Sequence, residues 1–306
     1  TIMAQFRKDT HQYLPQETTI FEVVMLADQY GNLVGPANPS GTSVDAFGRA
    51  RMSTPLTLFD SSHRYQDNGK FYNSNSAVSS TVTYDTNASV VSLNITNTAN
   101  SYAYRESSRV FSYQPGKSLL ILNTFCMAPT QTGLRQRVGY FGSQNGVYLE
   151  LDGSTINFVV RSFSTGVLTE ERIAQSSWNI DKLDGTGPSL LTLDISKVQI
   201  FWTDIEWLGV GSVRCGFVIN GQFIHCHSFH HANLIGTTYM TTACLPLRYE
   251  IENTNSMANN ATMNLICSSV MSEGGYEVRG KNRTSGQLPN SSYTLATAGV
   301  FYPVVS

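Results

Sequence analysis

The stretch Phe201-Trp202-Thr203-Asp204-Ile205-Glu206-Trp207 holds the residues of this chain best spaced for chemistry. On an extended strand alternate side chains share a face. Trp202, Asp204 and Glu206 are therefore expected on one side, and Thr203, Ile205 and Trp207 on the other. Two carboxyl groups beside an aromatic ring suit the cleavage or the gripping of a sugar. A retaining glycosidase sets one carboxylate as nucleophile and another as acid, roughly 5–5.5 Å apart. A binding groove needs only an aromatic platform and a few polar groups. Trp202 is equally a large apolar residue of the kind that fills cores.

A second cluster is His225-Cys226-His227-Ser228-Phe229-His230-His231. In a regular strand His225 and His227 share a face and Cys226 points away. Imidazole and thiolate are zinc ligands, but no Cys-x-x-Cys or carboxylate completes the set, so no metal is expected. The candidate glycan-binding groove is lined by Trp202, Asp204, Glu206, His225 and His227. In the turn-rich stretch Asp181 to Ser189, carboxylates and carbonyls could ligate calcium; a loop closed by Asp side-chain turns is the simpler account. No Gly-x-Ser-x-Gly elbow, phosphate loop or dinucleotide fingerprint occurs, and no cofactor is expected.

The elements carrying these residues read as strands. Val90 to Ile95 alternates, and Val110 to Tyr113, Pro115-Gly116 and Ser118 to Cys126 read as strand, turn, strand. Val138 to Phe141 and Val147 to Leu151 flank a Gln144-Asn145-Gly146 turn, and Thr155 to Ser162 follows Asp152-Gly153. Leu190 to Ile195 and Val198 to Trp207 read as strands covered on both faces. Val213 to Ile219 and Phe223 to Phe229 flank Asn220-Gly221, the pair that favours a type I′ hairpin turn. Pro246 to Ile251 and Met263 to Met271 close the series. Leu168 to Asn179 is the best helical candidate, yet is short enough to read as a loop or single turn. Many short strands joined by such turns indicate an antiparallel sandwich.

Residues 46–275 are expected to form that sandwich. Residues 1–45 read as an N-terminal arm or small β-unit, with Thr19 to Ala27 strand-like and Gly31 to Thr42 a loop. Residues 276–306 read as a C-terminal arm. Phe21, Val23, Phe301, Tyr302 and Val304 are apolar residues that such arms would bury against a neighbour.

Charged residues make up 14% of the 306 positions, with net charge −2 and no basic run. A typical charged share is about 25%. No nucleic-acid partner is expected, and the spaced arginines Arg105, Arg109, Arg135 and Arg137 read as ion-pair partners on sheet surfaces. No apolar run approaches the roughly 18–20 residues that crossing a bilayer takes, and Thr1 to Thr10 has no signal-peptide core. Five dispersed cysteines read as buried free thiols, suited to folding in a reducing cytoplasm. Five Asn-x-Ser/Thr sequons (Asn87, Asn94, Asn260, Asn282, Asn290) carry little weight in so Asn- and Ser-rich a chain.

Two resemblances add to this reading. The strand around Asp204 resembles the active-site strand of laminarinase-type glycosidases, which carry Glu-x-Asp-x-Glu; here Trp202 occupies the position of the nucleophile, so the resemblance speaks for the fold and against hydrolysis. Several segments together resemble a family of virion structural proteins of marine tailed phages, cyanophages among them. They are Asp45 to Arg51, Phe111 to Ser118, Arg137 to Phe141, Trp178 to Pro188, Glu206 to Gly211, Arg248 to Asn253 and Ser272 to Gly275. The resemblance implies an all-β, antiparallel, concanavalin-like jelly-roll β-sandwich with extended N- and C-terminal arms. It also implies a head or tail appendage or a decoration protein of the particle, assembled in the host cytoplasm. The partners so expected are other virion proteins and further copies of the chain. A carbohydrate-binding receptor-recognition module touching a host surface glycan is the alternative; a glycoside hydrolase is the more distant one.

Overall fold

The protein's structure is a computed structural model. It describes residues 55–67, 69–76, 79–254 and 257–277, together with the backbone of two short antiparallel strands, β1 (Leu26–Ala27) and β2 (Leu33–Val34). β2 lies in a stretch whose Gly, Pro and Asn content reads as loop. Phe21, Val23, Phe301, Tyr302 and Val304 lie outside the described residues, as do most of the two expected arms.

Two large antiparallel sheets form the body. One has seven strands in the order β13 (Thr169–Ala174), β12 (Thr155–Ser162), β11 (Gly146–Asp152), β10 (Leu134–Phe141), β18 (Leu247–Asn253), β7 (Tyr102–Ser107) and β4 (Phe71–Asn75). The other has eight: β16 (Gln222–Phe229), β15 (Val213–Ile219), β14 (Gln199–Ile205), β9 (Ser118–Cys126), β19 (Ala261–Glu273), β6 (Val90–Ile95) and β5 (Ser80–Asp85), with β3 (Leu56–Ser62) also paired to β19. A small pair, β8 (Phe111–Ser112) with β17 (Cys244–Leu245), stands apart. The chain is an antiparallel β-sandwich, as its turn spacing predicts, and is jelly-roll-like, as the phage-protein resemblance implies.

Alternation explains the layering. In β10 Leu134, Val138 and Tyr140 enter the core while Arg135 and Arg137 face outward; in β12 Ile156, Phe158 and Val160 enter it. Phe158 meets Trp178 at 4.2 Å and Phe201 of the opposite sheet at 5.7 Å. Each such fully buried aromatic contributes about 1.5–3 kcal/mol over its exposed state. Asn123 donates to the Tyr249 hydroxyl across the sandwich at 2.9 Å, fixing the sheets polar group to polar group. The Asn220-Gly221 turn forms with φ of 53° and 76°, the left-handed pair its hairpin demands.

Two expectations about the elements fail, and one about the cysteines fails in part. Leu190 to Ile195 is not a strand: Leu190 is exposed and Thr192 makes only an isolated bridge to Asp184. The preceding loop explains why. Asp181 accepts the backbone N–H groups of Leu183 at 2.9 Å and Ser189 at 2.8 Å, closing the chain into a compact turn. Conversely, Thr169 to Ala174 is strand β13, and only Gln175–Ser177 is a helical turn. Its sequence, Thr-Glu-Glu-Arg-Ile-Ala, hides the strand because an edge strand carrying ion pairs needs no apolar alternation. All five cysteines are free thiols, but only Cys215 and Cys226 are buried, and Cys267 is exposed.

Candidate functional site

β14 delivers Trp202 and Asp204 to the face of its sheet that turns away from the core, and Phe201 and Ile205 to the core. Trp202 lies across Gly216 of β15, and its indole donates to the Phe217 carbonyl at 3.3 Å. A Cβ on Gly216 would stand 2.7 Å from the indole and 1.9 Å from the Ile224 carbonyl oxygen, so only glycine allows this crossing. Phe223 and His225 flank the indole with ring centroids at 5.8 and 5.7 Å, and the Arg214 guanidinium sits 5.8 Å from its centroid. Asp204 lies 3.7 Å from Arg214.

This arrangement corrects the expected groove in three respects. Trp202, Asp204 and Glu206 are each fully buried, so this indole presents no platform on which a sugar could stack. Glu206 leaves the series: it follows the end of β14 and accepts the hydroxyl hydrogen bond of Tyr113, whose ring stands edge-on to Trp207 at 6.2 Å. Burial, and then Glu206, push the Tyr113 hydroxyl far above the usual phenol range, so it stays a donor.

His225 and His227 face opposite ways. In the β15–β16 ladder Cys215 pairs with His227 and Gly216 with His225, which makes Cys226 the extra residue of a β-bulge. The bulge breaks the two-residue period. His225 stays beside Trp202, while His227 turns inward to Phe229 (4.5 Å) and Phe158 (6.4 Å), with Cys226 also in the core. The Nδ1 of His227 accepts the Asn179 N–H at 3.2 Å. Burial holds both imidazoles neutral, His225 at about 3 with help from Arg214 and His227 at about 4 with help from His230. Among the described residues no three His, Cys, Asp or Glu side chains gather as metal ligands would.

The outer face of the seven-stranded sheet carries a different constellation. Glu150, fully buried, accepts from Arg137 and from Arg172, each at 2.8 Å. Arg137 also reaches Glu250 (2.7 Å) and Glu252 (3.1 Å), and Arg248 joins Glu250 (2.7 Å) to Glu106 (3.0 Å). Arg135 pairs with Glu252, and Glu170 joins Arg161, at 2.7 Å, to Arg172. Five arginines and five glutamates thus form one cross-strand network over Phe141, Tyr148 and Val159. Of the spaced arginines, Arg135 and Arg137 are ion-pair partners on the outer sheet face as expected, although Arg137 is buried there. Arg105 is instead fully buried, held by Asp67 and Asn73 beneath the Phe71 ring. Arg109 makes no ion pair among the described residues.

No protein-family model and no curated protein matches the chain. Among solved structures it is similar to a GH16 protein of a Bacteroides ovatus mixed-linkage glucan locus, solved with product. The identity is 10%, the coverage 70% of this chain and 99% of that one, and the TM-score 0.46. It is also similar to the CBM2 module of the evolved Dit of Lactobacillus casei BL23 phage J-1 (7%, 74% and 99%, TM-score 0.45). A protein of unknown function from Shewanella oneidensis MR-1 is similar at 10% identity, with 74% and 91% covered and a TM-score of 0.44.

Proposed function

We propose that this protein is a non-enzymatic structural component of a phage virion, a rigid sandwich that joins further copies of itself and other virion proteins. The observation that carries this reading is the fate of the two candidate acids. Glu206 and Asp204 are fully buried, one tied to Tyr113 and the other lying beside Arg214, with an indole where a nucleophile would stand. Acid–base catalysis needs carboxyl groups that a substrate can reach. The phage-protein resemblance of segments spread from Asp45 to Gly275 supports the virion setting, with assembly in the host cytoplasm.

In this reading the terminal segments, with Phe21, Val23, Phe301, Tyr302 and Val304, make the contacts between subunits. The test is direct. The chain should appear in peptide maps of purified particles and elute as a closed oligomer on size-exclusion chromatography with light scattering. A monomer absent from particles, or one releasing reducing sugar from β-glucans and losing that activity in Glu206→Gln, would sink the reading.

A further inference from the structure

A pocket of 310 Å³ opens between β12, β13 and the segment 231–239, away from Trp202. Val160 and Ile235 give it apolar wall; Ser162, Ser164, Thr169, Thr237 and Thr238 give it hydroxyls; Glu170 and Glu171 give it carboxylates. One wall is a parallel stack of His231 on Tyr239, with centroids 3.9 Å apart and planes 3° apart. His231 is 4% exposed. Its Nδ1 donates to the Gly211 carbonyl at 2.7 Å, which leaves Nε2 as a bare acceptor. That buried Nε2 has no hydrogen-bond partner among the described residues. A buried acceptor without a donor costs about 1–3 kcal/mol, and the ring that carries it lines the pocket, so a donor from outside the chain would offset that cost.

We propose that this pocket binds one neutral sugar residue, with a sugar hydroxyl donating to Nε2 of His231. The volume is at the lower end of small-ligand pockets, which run from about 300 to 1,000 Å³, and suits a single ring. The wall chemistry selects the class. Several side-chain hydroxyls both give and accept, as a polyol requires. The exposed Glu171 carboxylate disfavours an anion, and no gathering of three metal ligands is present among the described residues. Ile235, 40% exposed at the rim, offers apolar contact to the ring carbons. The site is separate from the buried Trp202 strand and independent of the virion assignment.

The test uses the whole chain. Methyl glycosides of glucose, galactose, mannose and N-acetylglucosamine are titrated to about 100 mM, the range in which single-ring affinities of about 1 mM saturate. The His231 ring signals are followed by NMR. One of these glycosides should give a saturable shift, weakened at least about tenfold in His231→Phe, which keeps the ring stack and removes the acceptor. If His231→Phe does not fold, Thr237→Trp decides: residue 237 is exposed at the lip, and its indole blocks the pocket without entering the core. No saturable shift with any neutral glycoside overturns the proposal. So does binding that survives Thr237→Trp in a folded protein, or saturation by N-acetylneuraminate or methylammonium alone.

Discussion

The outward faces of the two sheets both bury charge, and they differ in how much aromatic cover goes with the pairing. On the seven-stranded sheet every arginine of the network has a glutamate within ion-pair distance, and Glu150 answers two arginines at once. On β14 to β16 an imidazole and a guanidinium flank the Trp202 indole, Asp204 lies 3.7 Å from that guanidinium, and the imidazole is kept neutral. The first face is held by charge pairing across strands. The second is held by aromatic bulk that fits only because Gly216 lacks a side chain. A polar strand surface can thus be closed by an extended ion-pair network or by an ion pair under aromatic cover, and the two solutions should fail under different stresses.

Trp202→Ala should break the roofed face hardest. It empties a fully buried indole site, and urea unfolding should show a loss of about 3–5 kcal/mol. A loss below about 1 kcal/mol would mean that the indole is not structural. On the paired face Glu150→Gln should cost about 3 kcal/mol, because it leaves Arg137 with a diminished partner in a buried setting. Glu252→Gln, at the solvent-facing margin of the same network, should cost less than about 1 kcal/mol. Equal losses for the two would show that burial does not grade the network.

Acid should separate the faces further. His225 and His227 titrate in the fold at about 3 and about 4, below their ordinary 6.5. The unfolded chain then takes up more protons, and stability falls as pH drops from about 6.5 toward 4. His63 and His231, also lowered by burial, act in the same direction. Glu170 differs. Its burial raises it, but hydrogen bonds from Tyr148 and Arg161 outweigh that and bring it down to about 2. Its contribution is complete above its ordinary 4.5 and fades only as pH falls toward 2. The double change His225→Gln with His227→Gln should therefore flatten the slope of unfolding free energy against pH between about 6.5 and 4.5 by about two protons. An unchanged slope there would contradict the neutral, buried imidazoles. A smaller effect than that of the Trp202 or Glu150 change belongs to the hairpin beside them. Gly221→Ala, at φ +76°, should cost about 1–2 kcal/mol through the left-handed backbone alone, measured as a shift in the urea midpoint.

Much of the architecture was legible in the sequence. Val90–Ile95, Ser118–Cys126, Thr155–Ser162 and Val213–Ile219 are strands with the bounds that alternation and turn residues indicate. β13 was hidden because its partners are charges rather than a core, and Leu190 to Ile195 misled because leucines there pack beside a loop instead of inside a ladder. The face-sharing of Trp202 with Asp204 also followed from the two-residue period. The fate of His227 did not, since a single bulge residue at Cys226 reverses every side chain beyond it and leaves no mark in composition.

What the sequence determined by itself is local: which stretches extend, where the chain turns, and which alternate residues oppose one another. These depend on backbone sterics and on neighbours two to four positions away. Only the tertiary structure decided that Glu206 answers Tyr113 across 93 positions, that Arg105 is drawn inside, and that His231 stacks on Tyr239 with one nitrogen turned from every described partner. Such contacts form between distant strands once the sheets close, and their geometry is set by the packing of the whole body rather than by any segment within it.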